Sequence, residues 1–192
     1  MKQLARSLVL TGDKFLNNFK LDSKSGFSLL ELMAVVLLIA IVAMMTMPLL
    51  QKQIAAREIE TIARRFIAHA HFARQQALHL GQPVHLVPIS GDRWEAGWVV
   101  KGGCIEKPWF SQGSIDPVYF KGGGKQFIDP NSGKKGILFN AAGAAKTAQG
   151  GFVANRLILG HSRAPDLERQ MILGSGGRWR ICDPARDAKR CH

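Results

Sequence analysis

The chain has 192 residues, with 26 Lys+Arg against 14 Asp+Glu, a formal net charge of +12 and a pI near 10.1. At 46% hydrophobic and 21% charged it is composed like a folded domain, which excludes wholesale disorder, and three cysteines exclude a disulfide-built miniprotein. The length holds one domain plus an appendage, and the basic excess points to a polyanion, either nucleic acid or an anionic membrane surface.

Residues 1–26 are polar and basic, with five Lys/Arg and two Asp, so the remainder of the chain carries +9. From Phe27 to Leu50 the character inverts, and Leu32 to Met45 is apolar without a break. A helix of about 20 apolar residues spans a bilayer core. A soluble core helix is rarely apolar all round for this length. A cleaved secretory signal needs a shorter apolar region and small residues at its cleavage site, where this chain has Met44-Met45-Thr46-Met47-Pro48. A single membrane-spanning helix is the best of the three readings. Its orientation is ambiguous, because Lys20 and Lys24 precede the segment while Lys52, Arg57, Arg64 and Arg65 follow it.

Residues 51–80 become amphipathic. Ala55, Ile59, Ile62, Phe66, Ala70, Ala73, Ala77 and Leu80 recur at three- and four-residue steps as one apolar stripe, which Arg57, Arg64, Arg65 and Arg74 largely avoid. Gly81 and Pro83 supply the stop. The pattern predicts a nearly continuous helix from about Phe27 to Leu80, kinked or broken only at Pro48.

Beyond Gly81 the chain turns to short runs rich in Val, Ile, Phe and Trp between glycine-rich turns. Strands are expected at Val84–Ile89, Trp94–Lys101, Pro117–Phe120, Gly136–Asn140, Asn155–Leu159, Gln170–Leu173 and Arg178–Cys182, the last two as a hairpin across residues 174–177. Residues 141–151 are expected to form a loop. The fold expected is therefore α+β, a long N-terminal α-helix packed on a C-terminal antiparallel β-sheet or sandwich domain, with no internal repeat.

Gly26-Phe27-Ser28-Leu29-Leu30-Glu31, at the head of the apolar run, resembles the processing site of type IV prepilins and type II secretion pseudopilins. The resemblance implies a pilin-like fold with residues 1–26 as a leader. A prepilin peptidase would cleave between Gly26 and Phe27, and the new Phe27 amine would be methylated. It further implies residues 27–50 as the transmembrane and assembly helix, and residues 51–80 as its amphipathic continuation into the domain. Glu31 then stands at the fifth mature position. A carboxylate in a bilayer costs about 2.5–3.5 kcal/mol on insertion scales, so it usually has a partner or a task. The ammonium of an incoming Phe27 can neutralise a neighbour's Glu31 and select the axial register; the plainer alternative is a Glu31 that snorkels to the interface.

Residues 81–192 resemble the FimT/GspH family of minor subunits. Gly177-Arg178-Trp179-Arg180 matches that family's Gly-Arg-x-Arg signature, Gly177 being its motif glycine. In FimT-like members the signature binds DNA during natural transformation; in the GspH branch the protein is a minor pseudopilin near the tip of a secretion pseudopilus. If the segment is extended, Arg178 and Arg180 share a face about 6.6 Å apart, a spacing at which two guanidinium forks take neighbouring phosphates. Trp179 and Ile181 then point the other way. Arg186, Lys189 and Arg190 extend the charge, diluted by Asp183 and Asp187. The bland reading is a solvated basic edge that guards a strand against aggregation.

Cys182 and Cys191 flank this basic segment, and in an oxidising periplasm a disulfide between them would turn the tail into a loop. Cys104 is left over, or is the true partner of one of them. A zinc site from Cys104, Cys182, Cys191 and His192 lacks any CxxC-type pair. His69 and His71 are two apart on a helix and cannot chelate one metal, while His79, His85 and His161 are isolated. Residues 122–125 lack the spacing and Ser/Thr of a phosphate loop, and no nucleophile or paired-carboxylate arrangement suggests an enzyme. No cofactor or metal is expected. The partners expected are other pilin or pseudopilin subunits, prepilin peptidase, inner-membrane lipid and DNA, for a single-pass bacterial inner-membrane protein with a periplasmic domain that enters a pilus or pseudopilus. The main expectation is a DNA-binding minor pilin of a transformation pilus. The alternatives are a GspH-like pseudopilin or tip initiator with an assembly role and no DNA binding, and an ordinary single-span membrane protein.

Overall fold

The computed structural model describes residues 27–91, 93–102, 107–123, 127–128, 135–146, 155–174 and 176–191. One helix, α1 (Leu29–Leu80), precedes ten strands: β1 (Val84–Ser90), β2 (Arg93–Gly102), β3 (Phe110–Gln112), β4 (Val118–Gly123), β5 (Phe127–Ile128), β6 (Lys135–Phe139), β7 (Ala145–Lys146), β8 (Asn155–His161), β9 (Glu168–Leu173) and β10 (Trp179–Cys182). A 3-10 turn at Ala188–Cys191 ends the chain's described part. This is the pilin-like α+β arrangement, a long N-terminal helix with its second half packed on antiparallel sheets.

The chain divides into two compact units, with the boundary between Thr46 and Met47. In the first, residues 29–46 of α1 are apolar apart from Glu31 and Thr46 and almost all exposed, and α1 is the one helix among the described residues long and apolar enough to cross a membrane. The helix runs through Pro48 without interruption, so of the expected kink or break no break occurs. Proline removes only one N–H, and the turns on either side retain theirs. The Thr46 hydroxyl bonds back to the carbonyls of Val42 (3.1 Å) and Ala43 (3.2 Å), which keeps its polar group satisfied within an apolar run.

In the second unit, α1 buries Ala55, Ile59, Ala63, Phe66, Ala70, Ala73 and Ala77. The expected stripe needs two corrections. Ile62 is only half-buried, its place in the core taken by Ala63, and Leu80 is exposed at the helix end. Alanines on this face let the helix backbone come close to the sheets, and Phe66 fills the middle. Its ring meets Trp98 at 5.1 Å, Trp94 at 5.4 Å, Trp179 at 5.5 Å and Phe120 at 5.8 Å, all edge-to-face.

Two antiparallel sheets complete this core. The first has the order β3-β2-β1-β6-β5, with β7 also on β6; the second has the order β10-β9-β8-β4. All seven expected strands are present, five of them longer by one or two residues. Three short ones, β3, β5 and β7, were not expected. β7 lies inside the segment read as a loop, where Asn140 Oδ1 accepts from the backbone N–H groups of Ala142 and Ala144 and sets the turn that brings Ala145 opposite Phe139.

Candidate functional site: the N-terminal motif and a basic C-terminal face

Within the first unit, Ser28 precedes the helix and its hydroxyl accepts from the Glu31 backbone N–H at 3.1 Å. Ser28-Leu29-Leu30-Glu31 thus has the spacing of a capping box, with Glu31 at the third helical position where the helix dipole favours a carboxylate. This second use of the motif was legible in the sequence as Ser-x-x-Glu before an apolar run. Phe27 is 79% exposed; Gly26 lies outside the described residues.

Within the second unit, the C-terminal motif sits on the edge strand β10. The hairpin pairs Trp179 with Leu173, Arg180 with Ile172, Ile181 with Met171 and Cys182 with Gln170. Alternation turns Trp179 and Ile181 inward against the core, Trp179 onto Phe66, and leaves Arg178 and Arg180 exposed. The motif glycine is structural. Gly177 is buried at φ +76°, and a Cβ there would lie 2.8 Å from the Gly143 carbonyl oxygen and 3.0 Å from Arg74 Nε. Arg74, expected to stay clear of the packed face, is half-buried because its Nε donates to that same carbonyl at 2.8 Å. One arginine on α1 therefore anchors the turn next to the motif.

The tail folds back over the second sheet. Cys182 and Cys191 are joined by a disulfide with a Cα–Cα distance of 5.7 Å. Arg156, on β8, donates from Nη2 to the Cys191 carbonyl at 2.7 Å. Asp183 starts the return, accepting from the backbone N–H groups of Ala185 through Oδ1 and of Arg186 and Asp187 through its carbonyl. Of the expected basic set, Lys189 is exposed on the closing turn and Arg186 lies 3.7 Å from Asp183; the Arg190 side chain lies outside the described residues. Sequence reasoning missed Arg156, because only strand pairing brings it near the tail.

Beside β10, an open groove of about 710 Å³ runs between α1 and the sheet. Its charges alternate as Arg64, Glu60, Arg169, Asp183 and Arg186: Arg64–Glu60 at 2.8 Å, Arg169–Glu60 at 3.8 Å and Arg169–Asp183 at 3.0 Å. Each of these arginines faces a carboxylate, but three guanidinium groups share two carboxylates, and Arg64 and Arg186 stay largely exposed.

The histidines are tied into the fold. His69 Nδ1 accepts from the Trp98 indole N–H at 2.9 Å and stacks on Phe110 at 5.0 Å; burial, then nearby Arg65, lower its pKa. His161, expected to be isolated, is buried with its Nε2 2.6 Å from Glu58 Oε2. Its Nδ1 accepts from the Arg163 backbone N–H, which places the ring proton on Nε2, donating to the carboxylate. His71 lines the groove. Among the described residues no group of three His, Cys, Asp or Glu is placed to hold a metal. Cys182 and Cys191 are taken by the disulfide, and Cys104 and His192 lie outside the described residues.

Two family patterns match the chain: the type II transport protein GspH over residues 63–177, and the prokaryotic N-terminal methylation motif over residues 21–47. The chain belongs to the GspH family. Its fold is similar to that of the type IV minor pilin FimU of Pseudomonas aeruginosa, with 15% identity, a TM-score of 0.52, and 68% of this chain and 92% of that one covered. The minor pseudopilin EpsH of the type 2 secretion system of Vibrio cholerae matches at 12% identity and a TM-score of 0.48, over 67% and 99% of the respective chains. No curated protein matches in sequence. This GspH-family chain thus joins a type II transport protein domain to a prokaryotic N-terminal methylation motif, with a helix at that end long and apolar enough to cross a membrane.

Proposed function

We propose that the protein is a minor pilin of a type IV pilus system that captures DNA for natural transformation. Prepilin peptidase cleaves it between Gly26 and Phe27, and methylation of Phe27 follows. The apolar half of α1 holds it in the inner membrane until it enters the filament, where Glu31 pairs with the amine of a neighbouring subunit. DNA is bound without sequence preference through Arg178 and Arg180, supported by Arg186, Lys189 and Arg190. The observation that carries this reading is the arrangement of β10: Trp179 and Ile181 pin the strand to the core while the two motif arginines stay exposed on its other face. Charge on a rigid strand loses less side-chain freedom on binding phosphate than charge on a loose tail.

A second reading keeps the protein as a pseudopilin with a purely structural part. It is favoured by the groove beside β10, where three arginines are already paired with Glu60 and Asp183, a pattern suited to a protein partner more than to a polyanion. The mature chain in neutral detergent, titrated with random-sequence duplex at two salt concentrations, separates the two. DNA capture predicts salt-sensitive binding that Arg178→Ala with Arg180→Ala largely abolishes. Equal binding by the double variant sinks the assignment of the motif, and no binding by either chain favours the structural reading.

A further inference from the structure

The register of the second sheet joins two residues far apart in sequence. Ile172 of β9 is paired with Arg180 of β10 on one side and with Arg156 of β8 on the other. Directly paired residues in antiparallel strands send their side chains to the same face, so Arg156 and Arg180 stand on one face, two strand spacings or about 9.5 Å apart. That is the face turned away from α1, since the neighbouring positions Leu157, Met171 and Ile181 pack into the core. Arg178 lies about 6.6 Å along β10 from Arg180 on the same side. Both Arg156 and Arg180 are exposed, and among the described residues no carboxylate lies within ion-pair distance of Arg156. The tail adds to this face, because the Arg156–Cys191 bond holds the turn that carries Lys189 beside it.

We infer that Arg156 is a third phosphate-binding arginine, and that the DNA surface is the outer face of the sheet β10-β9-β8 and not the C-terminal strand alone. The inference rests on the DNA-binding reading given above. Three cations spread about 7 Å along a strand and 10 Å across a sheet meet a duplex that carries one negative charge per ~1.7 Å of axis, so any sequence presents phosphates to them. A guanidinium has five donors, and the Cys191 carbonyl takes one. Arg156 can therefore hold the tail and bind a phosphate at once.

The salt slope of binding tells a contact from a scaffold. The mature chain in neutral detergent is titrated with a labelled random duplex at several salt concentrations. Arg156→Gln is expected to weaken binding several-fold and to reduce the slope of log K against log salt by about 0.9, the share of one phosphate, while Arg156→Lys keeps the wild-type slope. An unchanged slope in Arg156→Gln overturns the inference, since weaker binding would then come only from a released tail. Footprinting of the unmutated chain with a guanidine-specific dicarbonyl gives a result even if a variant fails to fold: DNA should protect Arg156, and equal modification with and without DNA overturns the inference. A wild-type slope in Arg156→Gln alongside loss of binding in the Arg178/Arg180 double variant removes only the inference. No binding by the wild-type chain removes the underlying reading as well.

Discussion

Gly177 shows how much of the Gly-Arg-x-Arg motif is about backbone. Its φ of +76° and the approach of the Gly143 carbonyl oxygen and Arg74 Nε, both within 3.0 Å of where a Cβ would stand, leave room for no side chain. Gly177→Ala is expected to lower stability by about 1–3 kcal/mol through backbone strain and the forced shift of that turn. Gly174→Ala is the control. Its Cβ would meet nothing nearer than the Arg178 carbonyl oxygen at 3.7 Å, so it should stay within about 0.5 kcal/mol of wild type. Paired denaturant melts check both, and equal stability of the two variants would refute the structural role of Gly177. The arginines of the motif follow a different rule, being placed by what their neighbours bury. Trp179 and Ile181 decide which way Arg178 and Arg180 point.

At the scale of elements, α1 and β2 are joined by one bond whose strength depends on protonation. His69 must be neutral to accept from the Trp98 indole, and burial together with Arg65 lowers its pKa below the ordinary 6.5. Between the lowered folded value and 6.5 the unfolded chain binds more protons than the folded one, so stability rises with pH across that window. The contribution is complete above 6.5, falls as the pH drops below it, and is gone below the folded value. His69→Gln, which keeps an acceptor but does not titrate, should flatten that part of the profile. The measurement is the difference in Tm between wild type and variant from pH 7.5 to 5, and a constant difference would refute the linkage. The same α1–sheet interface shows what periodicity can and cannot foresee. The three- and four-residue spacing located the buried stripe, but Ala63 replaced Ile62 in the core and Arg74 was drawn into the interface by a carbonyl 69 positions later. Helical spacing carries no information about which sheet residues will face it.

Across the whole molecule, the two sequence motifs were legible for different reasons. Gly26-Phe27 and Glu31 lie within six residues, so their chemistry is local, and the Ser28 cap that starts the helix there is local too. Seven of the ten strands announced themselves through Val, Ile, Phe and Trp, whereas β3, β5 and β7 have two or three residues each and owe their existence to a neighbouring edge. Arg156 was invisible for the same reason: its place beside Arg180 is made by two ladders that no linear pattern encodes. The proposed cleavage after Gly26 poses a whole-molecule question, because removal of residues 1–26 would put an ammonium at the head of α1, where the dipole disfavours it and Glu31 in the first turn would offset it. Coexpression with a prepilin peptidase should yield a protein whose mass lacks residues 1–26 and gains one methyl group, and Gly26→Val should stay uncleaved. An intact Met1 in the wild-type chain would refute the processing assignment.

The return of the tail has a practical consequence for anyone handling the protein. Because Cys191 is fastened both to Cys182 and to the Arg156 guanidinium, whatever is fused after residue 192 is delivered onto the outer face of the sheet. An affinity tag or fluorophore there would crowd the surface being assayed, and a histidine tag would add titrating cations to it. Labels for imaging or pull-down are better attached on the other sheet, for instance at the exposed Arg93 that opens β2.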